Sequence, residues 1–222
     1  MEISSHHMMI TFSFRKVNLL EMSGTSGFIY RMADWLMKLA LVNLLWIFFT
    51  AAGLLLFGFY PAWIAVCRLI SLWKDGKEPP IVKTFWSVYR QVFIKGNLIA
   101  FLGCVFIIIL IVNLNIISFF EGFIFYFFST STLIVLMGFA VWMMIFGLAA
   151  AEKKKVSFTK VSFIEPVKRI VLAPGKTLLF IMGLFAVYFL NGFIPGLLPV
   201  YSVSLTGFIC VSLFTEGSEL PA

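Results

Sequence analysis

The sequence predicts an all-α integral membrane protein: a polytopic transmembrane bundle of six helices in three hairpins, with amphipathic interfacial helices in its cytoplasmic loops. Five helices is the alternative count. Three observations predict this class. Hydrophobic residues make up 61% of the 222 and charged residues only 12%, whereas soluble domains run nearer a half and a quarter. A soluble fold of this composition would expose more apolar surface than soluble monomers tolerate. Second, the windows 39–67, 96–120, 122–151 and 177–215 carry no charge over 29, 25, 30 and 39 residues, and a crossing helix needs roughly 20. Third, all 17 Lys and Arg fall in three clusters, within residues 1–38, 68–95 and 153–176.

Residues 1–27 read as an N-terminal extension, expected to be disordered, and Met22 is a second candidate start. His6 and His7 lie in it without further ligands, so no metal site is expected there. The first thirty residues lack a basic start, a sustained apolar core and a cleavage site, so no secretory signal is expected.

A transmembrane domain is expected over residues 28–216. Its first charge-free window decides the helix count. A hairpin with its tip at Tyr60 and Pro61 gives spans at 36–58 and 61–78, because proline suits the first position of a new helix. All 17 cations then share one side. A single crossing followed by a surface segment at 61–73 splits them 13 to 4. The positive-inside bias favours the hairpin, hence a multi-pass protein of the cell membrane with both termini cytoplasmic. Arg68 would lie about 10 Å from that tip. It must snorkel, face a protected interior, or belong to a shallow re-entrant hairpin.

The loop at 81–95 gathers Phe85, Trp86, Val88, Tyr89 and Val92 on one helical arc and Lys83, Ser87, Arg90 and Lys95 on the other. The pattern predicts a helix opened by Pro79 and Pro80, stopped by Gly96, and lying in the headgroup layer with its aromatics toward lipid. Spans at 97–120 and 122–151 follow, joined by a turn at Glu121 and Gly122. A second amphipathic helix sets Phe163, Ile164, Val167, Ile170 and Val171 against Glu165, Lys168 and Arg169, closing at Pro174 and Gly175. Gly192, Pro195, Gly196 and Pro199 divide the last window into spans at 177–194 and 198–215, before a tail at 217–222.

No sequence pattern points to catalysis. Cys67, Cys104 and Cys210 are scattered through apolar segments, without metal or disulfide spacing. No zinc signature, P-loop, dinucleotide fingerprint or nucleophile elbow is present. Neither catalytic residues nor cofactors are expected. Arg68, Glu121, Asn43 and Asn113 are the candidates for contact with a solute or a functional ion, as the charged and polar groups in or beside the spans. Trp86, Tyr89, Arg90, Lys168 and Arg169 are the candidates for lipid or partner contact. The expected partners are the bilayer, a carbohydrate permease or other membrane protein, and further copies of the chain; nucleic acid is not expected.

Two stretches carry a resemblance: residues 30–63, with Asp34-Trp35, Asn43-Leu44-Leu45-Trp46 and the Phe57-Gly58 to Pro61-Ala62 turn, and residues 83–101, opening Lys83-Thr84-Phe85-Trp86. Here the chain resembles the YesL family of bacterial membrane proteins, a group defined by a domain of unknown function. The detailed likeness covers roughly the middle third; beyond Phe101 it is one of hydropathy outline. The family tends to carry a basic pair before the tryptophan matching Trp73, where this chain has Ser71 and Leu72 and its cation at Arg68. The resemblance implies a carbohydrate-uptake context and supplies no catalytic residue. The function expected is that of a non-enzymatic accessory or regulatory component beside a carbohydrate uptake system. The alternative is a small transporter or channel subunit for a neutral or anionic solute.

Overall fold

The computed structural model describes residues 25–153 and 160–215; His6, His7, Met22 and the tail at 217–222 lie outside them. The helices are α1 (Thr25–Ala52), α2 (Leu56–Lys74), α3 (Ile81–Ile117), α4 (Phe123–Ala151), α5 (Lys160–Leu172), α6 (Pro174–Phe193) and α7 (Leu198–Phe214), with no strand among the described residues. Five of them, α1 to α4 and α6, are long and apolar enough to cross a membrane, and α7 is apolar but shorter. The chain divides into two compact units, residues 1–38 and 39–222. In the first, Lys38 Nζ pairs with Asp34 Oδ2 at 2.7 Å, one helical turn away. The packing that follows is that of the second.

Helix α2 is its buried centre. Tyr60, Ala62, Trp63, Ile64, Ala65, Val66 and Cys67 are all inside. Contacts climb α2 in step with α4: Tyr60 Oη donates to Met143 O, and one turn on Trp63 Nε1 donates to Met144 O. The two helices therefore run parallel. Gly147 allows their approach, since a Cβ there would lie 2.6 Å from Trp63 Cδ1. Helix α7 also runs parallel to α2, with Gly207 against Val66 and Ile70, and Lys74 reaching Thr215. The hairpin of α3 and α4 is held by Phe106 on Phe139, rings 4.6 Å apart, and by Thr132 Oγ1 donating to Asn113 Oδ1 at 3.0 Å. Its turn, at Glu121 and Gly122, is where the sequence places it; Gly122 has φ 71°, which glycine adopts without steric cost.

The first hairpin turns earlier than expected, at Gly53, Leu54 and Leu55 and not at Tyr60 and Pro61. Pro61 sits inside α2, where its missing N–H leaves the Phe57 carbonyl without the usual partner. Two glycines set the turn. A Cβ on Gly53 would collide with the Gly58 Cα, and one on Gly58 would lie 2.5 Å from Phe49 O. Leu54 and Leu55 take positive φ, 56° and 64°, at a cost on the order of 1–3 kcal/mol each. Backbone N–H groups of residues 53–57 all find acceptors within the turn. Leu54, Leu55 and Leu56 are 67–78% exposed. Turns that surface in water use Gly, Pro, Asn, Asp or Ser; this one satisfies its backbone internally and presents leucine, as a turn within hydrocarbon must.

A second difference concerns Gly96, which does not end a helix. Helix α3 continues through it for 37 residues, about 55 Å, against a hydrocarbon layer of about 30 Å. One glycine costs about 1 kcal/mol in a helix, less than the unpaired backbone groups a break would leave in lipid. The charge-free part, 96–117, spans about 33 Å, so the part bearing Lys83, Arg90 and Lys95 extends beyond the hydrocarbon. Most of its aromatic arc faces protein, not lipid, while Trp86 stays exposed. Phe85, Val88, Tyr89 and Val92 are buried, with Phe49 stacked on Phe85 at 5.1 Å and Tyr89 Oη donating to Phe49 O.

Candidate functional site

Helix ends dictate where the cations go. The last four carbonyls of a helix lack intrahelical donors and carry the negative end of its dipole. Helix α2 supplies donors to two such ends. Arg68 Nη1 donates to Ala151 O at 2.8 Å and Glu152 O at 3.4 Å, closing α4. Six residues on, Lys74 Nζ donates to Thr215 O at 2.8 Å and to Val211 O and Ser212 O at 3.4 Å, closing α7. The C-termini of α2, α4 and α7 thus meet at one end of the unit.

A polar cavity of about 660 Å³ opens there. Helix α2 contributes Arg68 and Ser71, and Asp75 just follows it; Glu152 follows α4; α5 adds Glu165, Lys168 and Arg169; Lys176 and Thr215 also line it. Arg169 Nη2 binds Glu152 Oε2 at 2.6 Å and Glu165 Oε2 at 3.4 Å. Burial works against the Arg169 charge, but the hydrogen bond to Glu152 and the two carboxylates outweigh it, so its proton is held more firmly than usual. Three buried atoms are left without partners among the described residues: Glu152 Oε1, Arg169 Nη1 and Thr215 Oγ1. The cavity therefore offers both a donor and acceptors to whatever enters it.

Helix α5 explains the charge arrangement. Glu165 and Arg169 turn inward, while Phe163, Ile164, Val167 and Val171 are 44–68% exposed. In water this helix would be inside out. At a membrane surface it is correctly oriented, with its apolar face in the acyl boundary and its charges over the cavity.

Arg68, Lys168 and Arg169 come together in this cavity; the other sequence candidates do not. Asn43 is fully buried, its Oδ1 accepting from Val203 N and Ser204 N and its Nδ2 donating to Pro199 O. It is wedged into the first turns of α7. Asn113 pairs with Thr132. Glu121 stands at the far end of α4, roughly 44 Å of helix from Glu152. On α3, Trp86 and Arg90 are exposed and Tyr89 is turned inward. Sequence reasoning missed Glu152, Lys74 and Thr215. For Glu152 the signal was its place as the first charge after a 30-residue apolar window; nothing in the sequence distinguished Lys74 or Thr215.

Residues 39–114 match the family described as "Protein of unknown function, DUF624". Three proteins of Bacillus subtilis (strain 168) are similar over most of the chain. YteU is 30% identical, covering 85% of this chain and 84% of its own; YesV is 26% identical over 86% and 91%; YesL is 26% identical over 78% and 84%. Each is described as uncharacterized. The similarity thus extends well beyond the middle third that carries the resemblance in the sequence. No solved structure matches the chain.

Proposed function

The chain belongs to the DUF624 family of membrane proteins of unknown function, with YteU, YesV and YesL, and from that premise we propose that it is a non-enzymatic accessory or regulatory protein of the bacterial cytoplasmic membrane, acting beside a carbohydrate uptake system. The observation that carries this reading is the part of α3 that outruns the bilayer. There Val82, Trp86 and Ile94 are 49–82% exposed beside the exposed Lys83, Arg90 and Lys95. Exposed aromatic and basic side chains on one rigid helix suit a partner surface, since tryptophan and arginine anchor protein contacts. The positive-inside bias puts this end, with the polar cavity, in the cytoplasm. The carbohydrate context comes from the family resemblance.

The transporter alternative draws less support. A solute path needs several polar groups turned to a lumen, and apart from Trp46 and Thr50, which line an otherwise apolar cavity, most polar side chains of the spans bond to protein instead. Asn43 holds α7, Asn113 and Thr132 hold each other, and Ser131 and Asn115 bond to their own helices. The test is co-purification of the tagged full chain from its native membranes in mild detergent. A carbohydrate permease component should accompany the wild type and be lost from Trp86→Ala/Arg90→Ala. Purified protein that alone gives saturable sugar uptake into liposomes overturns the accessory reading.

A further inference from the structure

A second cavity, of about 680 Å³, lies at the α1–α2 turn and is close to the polar one in size but opposite to it in lining. Its walls come from α1, α2, α3, α4 and α7 and are almost wholly apolar, with Trp46, Phe59, Trp63 and Phe139 among them. Leu55 and Leu56, which are 67% and 77% exposed, form its mouth. These leucines and Ala100, Cys104 and Ile107 of α3 line the same space. Ile107 is the last of these along α3, ten residues before its end, so α3 runs about 15 Å beyond the cavity lining toward the α3–α4 turn. The mouth therefore opens to the interior of the bilayer.

Two polar atoms in this lining have no partner among the described residues, Trp46 Nε1 and Thr50 Oγ1. They are four residues apart on α1 and so share one helix face. Thr50 is only 6% exposed. A buried hydroxyl and a buried indole N–H almost always find acceptors in native proteins, and here the described residues offer none. Apolar walls with a few convergent polar groups, in a volume of this size, are what small-ligand sites look like.

We propose that this cavity binds a carbonyl-bearing lipophile drawn from the bilayer, its oxygen accepting hydrogen bonds from Trp46 Nε1 and Thr50 Oγ1 and its apolar body lying along α3 and α4. A carbonyl is the group that answers two converging donors without bringing a donor or a charge of its own. Such a carbonyl has two sources in a membrane: an acyl ester and the ring ketone of a lipid-soluble quinone. The aromatic walls accept either.

The test is photolabelling of the full chain in phosphatidylcholine vesicles doped with a diazirine-bearing acyl ester, with adducts mapped by peptide mass spectrometry. Labelling of the peptide carrying Ala100 and Cys104 should exceed that of the lipid-facing segment around Phe119 and Phe123. Excess methyl palmitate should suppress it if the site takes esters, and 1,4-naphthoquinone if it takes ring ketones. Thr50→Val, which keeps shape and loses the hydroxyl, should raise the competitor concentration needed by roughly threefold to tenfold, the worth of one hydrogen bond. Ala100→Phe, which fills the space, should abolish the excess labelling. Cavity labelling no higher than at the control segment, or unmoved by both competitors and by Thr50→Val, overturns the proposal.

Discussion

Replacing Arg68 by methionine keeps a long apolar stem and removes the guanidinium, so it isolates the helix-closing role. The wild-type side chain makes one short bond to Ala151 O, 2.8 Å, and one long one to Glu152 O, 3.4 Å. A hydrogen bond from a charged donor contributes about 1.5–3 kcal/mol. The 3.4 Å contact adds little, and relief of the half-buried charge offsets part of the loss. Arg68→Met should therefore cost about 2 kcal/mol, a roughly thirtyfold fall in the folded-to-unfolded ratio. Arg68→Lys keeps the charge but loses reach and should fall between the two. Reversible unfolding in mixed micelles, followed by far-UV circular dichroism, measures both. A methionine variant as stable as wild type would refute the reasoning and return Arg68 to the list of residues kept for a solute.

Asn43→Leu removes three bonds into α7, each worth about 0.6 kcal/mol in membrane proteins, and should cost about 2 kcal/mol in the same assay. Gly147→Val drives carbon into Trp63, whose indole cannot retreat without losing Met144 O; overpacking of this kind costs about 1–3 kcal/mol, and Gly138→Val, where a Cβ meets open space, should cost less. Cysteine placed at Leu54, in a chain lacking its native cysteines, should resist polar maleimides from both sides of the membrane, because the turn lies in hydrocarbon; labelling as fast as at Glu121 would contradict that. Glu152→Gln should loosen Arg169 and with it α5, read as faster hydrogen exchange over residues 163–172.

Fold class was legible because membrane helices announce themselves by length: no water-soluble element explains 30 residues without a charge. The pairing of α3 with α4 was equally plain, since Glu121 and Gly122 interrupt an otherwise apolar run. The first turn was misplaced because Pro61 is the conspicuous residue there, while the turn depends on two glycines whose closeness only the packed hairpin reveals. Gly96 misled in the opposite sense, a breaker by composition that a continuous helix absorbs. For the amphipathic part of α3, periodicity identified two faces but not which one meets protein. Lipid can serve as the apolar partner, so a helix pattern alone leaves its orientation open. Arg68 stood out as an intramembrane ion, yet its partners lie 83 and 84 residues away, a separation no local pattern spans.

The topology rests on one assignment: the C-terminal ends of α2, α4 and α7, with the polar cavity between them, go to the cytoplasmic face, and the Glu121 turn to the other. Single cysteines at Gly76 and Glu121, probed on intact cells with a membrane-impermeant maleimide, test it directly. Label on Glu121→Cys at once, and on Gly76→Cys only after the cells are permeabilised, is the predicted result. Label on Gly76→Cys in intact cells would contradict it.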